Sequence, residues 1–450
     1  MKPHQLRALD RELSVYLESM VAGMGRSERR VAMGLYLTGL LLDGERKSTQ
    51  PMAIRLATDP RDAEALRQRL QQCVTIAPWS DDEMFRRLAL KLDKELPEAE
   101  ALVVDDTGFP KKGTHSVGVA RQYSGTLGRV DNCQVAVSLH LAGERGSGCI
   151  GMRLYLSEDE WVSDSKRRKA AGVPLEVSFQ TKWELSLQQI DAALASGVRK
   201  HVLLADAGYG DVGDFRSGLT ERGLKYLVAV NGTPVLWPPE SSPNIPRRKL
   251  GGGHPPTRYR DDLHPPQTIA ELALKLHYRR VTWREGSRGR QSSRFSAVRV
   301  RTAHRHLQSH APGEEQWLLC EWPTGEPRPT KHWLSTISED SSPRELVRLA
   351  KLRWRVERDY QEMKQEVGLD HFEGRSWRGF HHHAALCAVA HGFLALRRAL
   401  FPPIQPAVDS PSRSPSSPAL SPPEDRYLSP LPRSHRPSSP APRTLQDVIK

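Results

Sequence analysis

Cysteine is scarce in this sequence, with five in 450 residues, and the five (Cys73, Cys133, Cys149, Cys320 and Cys387) stand apart with no C-x-x-C pair. That spacing offers neither a disulfide framework nor a zinc site, and it suits a reducing compartment. Long hydrophobic runs are missing too. The longest apolar stretch, AALCAVAHGFLAL, is too short and too interrupted to span a bilayer. The first residues, MKPHQLRALDRELSVYLESM, carry charges throughout and contain no apolar signal core. A cytoplasmic protein without a membrane partner is expected. No internal repeat recurs. What the chain has in excess is positive charge: 66 Lys and Arg against 53 Asp and Glu, a formal charge of +13. That balance favours a polyanionic partner, of which nucleic acid is the commonest, over the plainer reading of a basic soluble enzyme. The length suffices for two or three domains.

Residues 1–97 read as a helical, arginine-rich domain. Leu6, Leu9, Leu13 and Leu17 recur at spacings of three and four. Ser27 opens a second helical run as its N-cap, and residues 63–74 and 84–96 give two more. The domain either packs on its neighbour or binds DNA ends; no helix-turn-helix signature decides. The pattern then changes. Residues 98–231 alternate short apolar runs (101–106, 132–143, 148–156, 201–206, 224–230) with two helices, at 181–197 and 214–222. That order, three strands followed by helix, strand, helix and strand, predicts an α/β fold with a ribonuclease-H-like mixed sheet and flanking helices. Residues 232–340 are rich in Pro, Gly, Arg and His and then strand-like, which predicts a β-rich insertion. Residues 341–400 return to helix. One long helix is expected from Pro343 to Gly368, with a last one from about Gly379 to Leu400. Over 401–450 the composition collapses to Pro and Ser, with 13 of the 34 prolines, and a disordered tail is expected.

Three places put acids where chemistry needs them. Asp105 and Asp106 are expected at the end of the first strand, and Asp206 at the end of the fourth, just before two glycines that let the chain turn away. First and fourth strands are neighbours in such a sheet, which brings these acids together. Glu357 lies on the long helix. There Leu349, Leu352, Val356, Tyr360, Met363 and Val367 form a buried stripe, flanked by Arg353, Glu357, Gln361 and Lys364. Acid and base on one helical stripe is also what an ordinary surface salt-bridge ladder looks like. A carboxylate trio is what two-metal phosphodiester chemistry needs. Hard oxygen ligands suit two Mg2+ ions, with Mn2+ as a substitute. Arg353 and Lys364 then serve as cations for flanking phosphates.

At this point the sequence resembles bacterial insertion-sequence transposases of the DDE type, most closely the insertion sequence 701 family. The blocks that carry the resemblance run in order over roughly residues 20–400: GLLLDGERKS, VVDDTGFPKKGTHSVGVARQYSGTLGRVDNCQVAV, LYLSEDEW, FQTKWELSL, LLADAGYG and RWRVERDYQEMKQEVGLDHFEGRSWRGFHHHAAL. Together they are highly specific; any one alone is weak. The resemblance implies a triad of Asp105, Asp206 and Glu357 in a ribonuclease-H-like domain that a β insertion interrupts before the glutamate. A related insertion sequence 4 pattern, Y-x-x-R-x-x-x-E-x-x-x-x-x-x-K, matches at Arg353, Glu357 and Lys364 and departs at Ala350, where it has tyrosine. A D-x-T spacing selects Asp105 as the first acid; direct adjacency to Thr107 selects Asp106. The related pattern favours Asp105. The implied activity is metal-dependent cleavage and strand transfer on double-stranded DNA, at terminal inverted repeats and a target, by a homodimer in the bacterial nucleoid. A metal-dependent endonuclease without strand transfer shares the same carboxylates. The Pro/Ser tail, unlike the family's compact ending, keeps open a decayed copy that binds DNA without cutting it.

Other features divide. The loop after the first strand either lies against DNA, with Lys111, Lys112 and Arg121 on phosphate, or is a glycine-bearing hairpin loop. Consecutive His381, His382 and His383 point about 100° apart on a helix, so a helix-start or DNA-facing role is expected over a shared metal. Trp317, Trp322 and Trp333 are expected in the core rather than wedged against bases. Arg153, Arg167 and Arg168 are either solvated surface or part of the DNA path.

Overall fold

The computed structural model describes residues 3–125, 128–247, 254, 256–286, 289–303 and 310–401. The Pro/Ser tail beyond 401 lies outside the described residues.

Five helices come first: α1 Pro3–Val21, α2 Ser27–Leu41, α3 Thr49–Leu56, α4 Ala63–Thr75 and α5 Asp81–Glu95. Leu9 and Leu13 of α1 are buried, as their spacing implies. Ser27 is not a cap. Arg26 holds the N-cap position of α2, and no side chain bonds there. The best-made start is that of α5, where the Ser80 hydroxyl accepts from the Glu83 N–H and Asp81, Asp82 and Glu83 occupy the positive end of the helix.

The next segment holds β1 Ala99–Pro110, β2 Ala120–Ser124, β3 Arg129–Gly143, β4 Gly146–Leu154, α6 Ser165–Ala171, α7 Lys182–Ala195, β5 Val202–Ala205, α8 Ala207–Gly210, α9 Gly213–Glu221 and β6 Tyr226–Val230. A reciprocal capping box between Thr181 and Glu184 fixes the start of α7. β1 pairs antiparallel with β3, whose other edge is shared by β2 and β4. On its far side β1 pairs parallel with β5, and β5 parallel with β6. Four antiparallel strands followed by two parallel additions make a mixed sheet consistent with a ribonuclease-H-like fold.

Two readings of this segment need correction. β2 lies inside the stretch taken for a loop, and Val117, Val119 and Ala120 are buried there. The strand bearing Asp105 and Asp106 does not end at them. β3 keeps supplying ladder partners as far as the Pro110–Cys133 pair, so β1 runs four residues past Asp106.

Residues 231–340 add β7 Val235–Trp237, β8 Gln267–Thr268, α10 Ile269–Ala273, β9 Arg279–Gly286, β10 Gly289–Thr302, β11 Glu315–Trp322 and β12 Lys331–Ser335. These strands continue the same sheet, because β12 pairs with β6 and leads through β11 to β10. The chain closes with α11 Pro343–Leu352, α12 Trp354–Gln365 and α13 Trp377–Leu400.

The single long helix expected from Pro343 is two helices, broken at Arg353. Neither proline nor glycine stands there, so no local backbone residue explains the break. One large apolar core runs from Leu9 through β1, β3 and β5 to Ala399, and a smaller one surrounds Leu236, Ile269, Leu318 and Leu334. Helix α13 is buried nearly all round and passes through the large core.

Candidate active site

The site begins with register. Val104 of β1 pairs with Ala205 of β5, the last pair of that parallel ladder. Asp105 and Asp206 follow immediately on strands that lie about 4.8 Å apart. Side chains alternate along a strand, so Asp105 and Asp106 face opposite sides of the sheet. Asp105 turns toward α12. Asp106 turns away and forms an ion pair with Lys182 Nζ at 2.8 Å.

Asp206 caps α8, accepting from the N–H groups of Gly208 (3.0 Å) and Tyr209 (3.4 Å). The glycines after it do not serve a turn. Gly210 is required because a Cβ there would stand 1.9 Å from the Ala229 carbonyl oxygen of β6.

Arg353, at the break before α12, lies against Asp105 of β1. One guanidinium nitrogen donates to Asp105 Oδ2 at 2.7 Å and the other to Glu357 Oε1 at 3.0 Å. All three carboxylates act on that guanidinium: burial lowers its pKa, but Asp105, Asp206 and Glu357 more than offset this. Asp105 is 14% exposed, and burial pushes its carboxyl up to about 6. Arg353 opposes that rise and Asp206 adds to it. Glu357 is 65% exposed, with Arg353 as its ion-pair partner.

Among the described residues, no three His, Cys, Asp or Glu side chains converge closely enough to hold a metal as they stand. The donor set nonetheless fits a hard divalent cation. Carboxylate oxygens are the ligands such ions take, and Asp105, buried beside the like charge of Asp206, already has one cation, Arg353, against it.

The other named residues scatter. Lys364 Nζ donates to the Gly108 carbonyl at 2.9 Å and lies over the Phe109 ring. Lys111 Nζ donates to the Phe372 carbonyl at 3.1 Å. Burial lowers the pKa of both. Lys112 and Arg121 are exposed. The three histidines do not face a DNA groove; each is 2% exposed inside the core. His381 Nε2 accepts from the Leu154 N–H and its Nδ1 faces the Trp377 carbonyl, while His382 stacks on Trp79 at 3.7 Å. Trp333 is core, whereas Trp317 and Trp322 are half-buried under Arg299 and Arg294. Arg153 is bound to Asp81, Arg167 lies on Trp161, and Arg168 holds the carbonyls of Pro174 and Val177. All three are structural ties.

Sequence reasoning missed one feature. A depression of about 740 Å³ lies against β9, β10 and the start of α11, lined by His277, Arg279, Arg280 and Arg344. None of those arginines forms an ion pair among the described residues. Residues 277–283, HYRRVTW, in the strand-like part of the insertion, carry the signal in their adjacent arginines.

The family description "DDE superfamily endonuclease" matches residues 19–290, which include Asp105 and Asp206. The chain belongs to the DDE superfamily of endonucleases. It is also similar to the "Probable transposase for insertion sequence element IS701" of Microchaete diplosiphon, at 26% identity over 341 residues and 74% of each chain. Among the described residues, no helix of this DDE superfamily member is long and apolar enough to cross a membrane.

Proposed function

We propose that this DDE superfamily member is a cut-and-paste transposase, which nicks DNA at the ends of its element and joins the freed 3′-hydroxyl to a target. The observation that carries the reading is the grip of Arg353 on Asp105 and Glu357, with Asp206 next to Asp105 in register. Asp105 rather than Asp106 is the first acid, because Asp106 points to the other face and is neutralised by Lys182.

Asp105, Asp206 and Glu357 would hold two Mg2+ ions, with Mn2+ as a substitute. Such ions, when bound, polarise the scissile phosphate and make water or a 3′-hydroxyl a better nucleophile. The chain's own residues do the rest. Arg353 balances the carboxylates against one another and orients Glu357 along α12. The break before α12 sets that arginine beside the sheet.

Arg279, Arg280 and Arg344, with Lys112 and Arg121, offer cations to the DNA backbone. Residues 1–97 bind the terminal repeats, 98–231 and 341–400 carry the carboxylates, and 232–340 is the insertion. Cutting two ends in step needs two sites, so the acting form is a homodimer on DNA.

A strand-transfer assay tests this reading. The full chain, Mg2+ and a pre-nicked duplex carrying the element's end are incubated with a supercoiled target. Joined products are expected. Cleaved ends without joining would reduce the protein to an endonuclease, and binding without cleavage would reduce it to a DNA-binding relic.

A further inference from the structure

Behind the carboxylates, α12 is tied to the sheet by a polar chain sunk in apolar core. Ser138 of β3 lies directly across the ladder from Asp105. Its hydroxyl meets Tyr360 Oη of α12 at 2.6 Å and His140 Nε2 at 2.9 Å. The other ring nitrogen of His140, Nδ1, meets Asp359 Oδ2 of α12 at 2.7 Å, and Ser147 of β4 donates to Asp359 Oδ1 at 2.6 Å. Ser138 and His140 have no exposed surface, and Asp359 is 3% exposed. Burial pushes the His140 pKa down, but Cys149 and Asp359 more than offset this and hold it up to about 10.

A buried ion pair adds little stability over apolar side chains of the same volume. What it adds is direction. The apolar stripe of α12, through Val356 and Met363, tolerates a small slide or rotation; bonds to two strands at once do not. Asp359 stands two residues after Glu357, about 200° round the helix, so one points into the sheet while the other faces outward.

We infer that His140, Asp359, Ser138 and Tyr360 are positioning residues that fix the rotation of α12, so that Glu357 meets Asp105 and Asp206 at the metal site. The inference rests on the metal-site reading above. Supporting groups behind metal ligands commonly change affinity by ~10–100-fold when removed.

The test is Mn2+ binding to the full chain, read from the electron paramagnetic resonance signal of the free ion. The double substitution H140L/D359L replaces the tie with apolar side chains, and it is expected to weaken Mn2+ binding about tenfold. The control is Leu37→Ala, a buried core change on α2 away from the network, which lowers the melting temperature and leaves Mn2+ binding as it was. Tyr360→Phe, which deletes only the Oη contact, weakens binding in the same direction by a few-fold and serves if the double variant does not fold. Unchanged binding in H140L/D359L or Tyr360→Phe, or equal weakening by Leu37→Ala, overturns the inference. Glu357→Gln separates the two claims. If it binds Mn2+ like the unaltered chain, the metal-site reading falls and this inference with it. If it loses binding while the network variants do not, only the inference falls.

Discussion

At the scale of single residues, environment decides roles that spacing left open. Asp105 and Asp106 are adjacent and chemically identical, yet strand alternation gives one to Arg353 and the other to Lys182. His383 shows the same rule in the core. Its Nδ1 faces the Tyr36 hydroxyl at 2.9 Å and its Nε2 the Gly368 carbonyl at 3.0 Å, so a neutral ring that accepts from one and donates to the other is fully satisfied. Burial holds its pKa down to about 4. The unfolded chain takes up a proton below about 6.5, where the folded one does not. The stability His383 contributes is therefore present above about 6.5 and lost as pH falls toward 4, by on the order of 3 kcal/mol. Thermal melts between pH 7 and pH 4.5 should show a steep fall in the unaltered chain and a shallower one in His383→Asn. Equal slopes would contradict this.

At the scale of elements, most helices and strands were legible because their apolar periods are clean. The stripe from Leu349 to Val367 is buried as read. What sequence did not show came from distant partners. β1 is longer than its apolar run because β3 keeps pairing with it, and β2 exists because β3 offers it an edge. The break at Arg353 has no local marker at all. Of the candidate site, the three acids were legible in the sequence as acids closing apolar runs and lying on a helical stripe, although β1 itself continues past Asp105 to Pro110. The inward turn of Lys111 and Lys364, the burial of the three histidines and the polar chain behind α12 were not, since each depends on carbonyls or side chains far away in sequence. Gly210 gives an element-scale prediction. A methyl there meets the Ala229 backbone, so Gly210→Ala must push α8 off β6. A loss of about 1–3 kcal/mol in denaturant unfolding is expected, with weaker metal binding because Asp206 caps that helix. A variant as stable as the parent would contradict the packing argument.

At the scale of the whole molecule, a single sheet joins the carboxylate strands to the strands carrying Arg279 and Arg280. Charge and chemistry thus share one sheet, with three arginines of this basic chain lining a depression on it. If that depression holds DNA backbone, the triple substitution of Arg279, Arg280 and Arg344 by alanine weakens binding across sequences. It should also make the slope of log affinity against log salt shallower by about 3, close to one per lost phosphate contact. An unchanged slope in a salt titration places the DNA elsewhere.

The central claim is that Asp105, Asp206 and Glu357 form one metal-dependent cleavage site, and the most direct measurement is cleavage of a labelled duplex carrying the element's own end. The account predicts Mg2+-dependent nicking at that end by the full chain. In Glu357→Gln it predicts a loss of more than about a hundredfold, beyond what a merely supporting group costs, with DNA binding retained. Nicking by Glu357→Gln at the rate of the unaltered chain would contradict it.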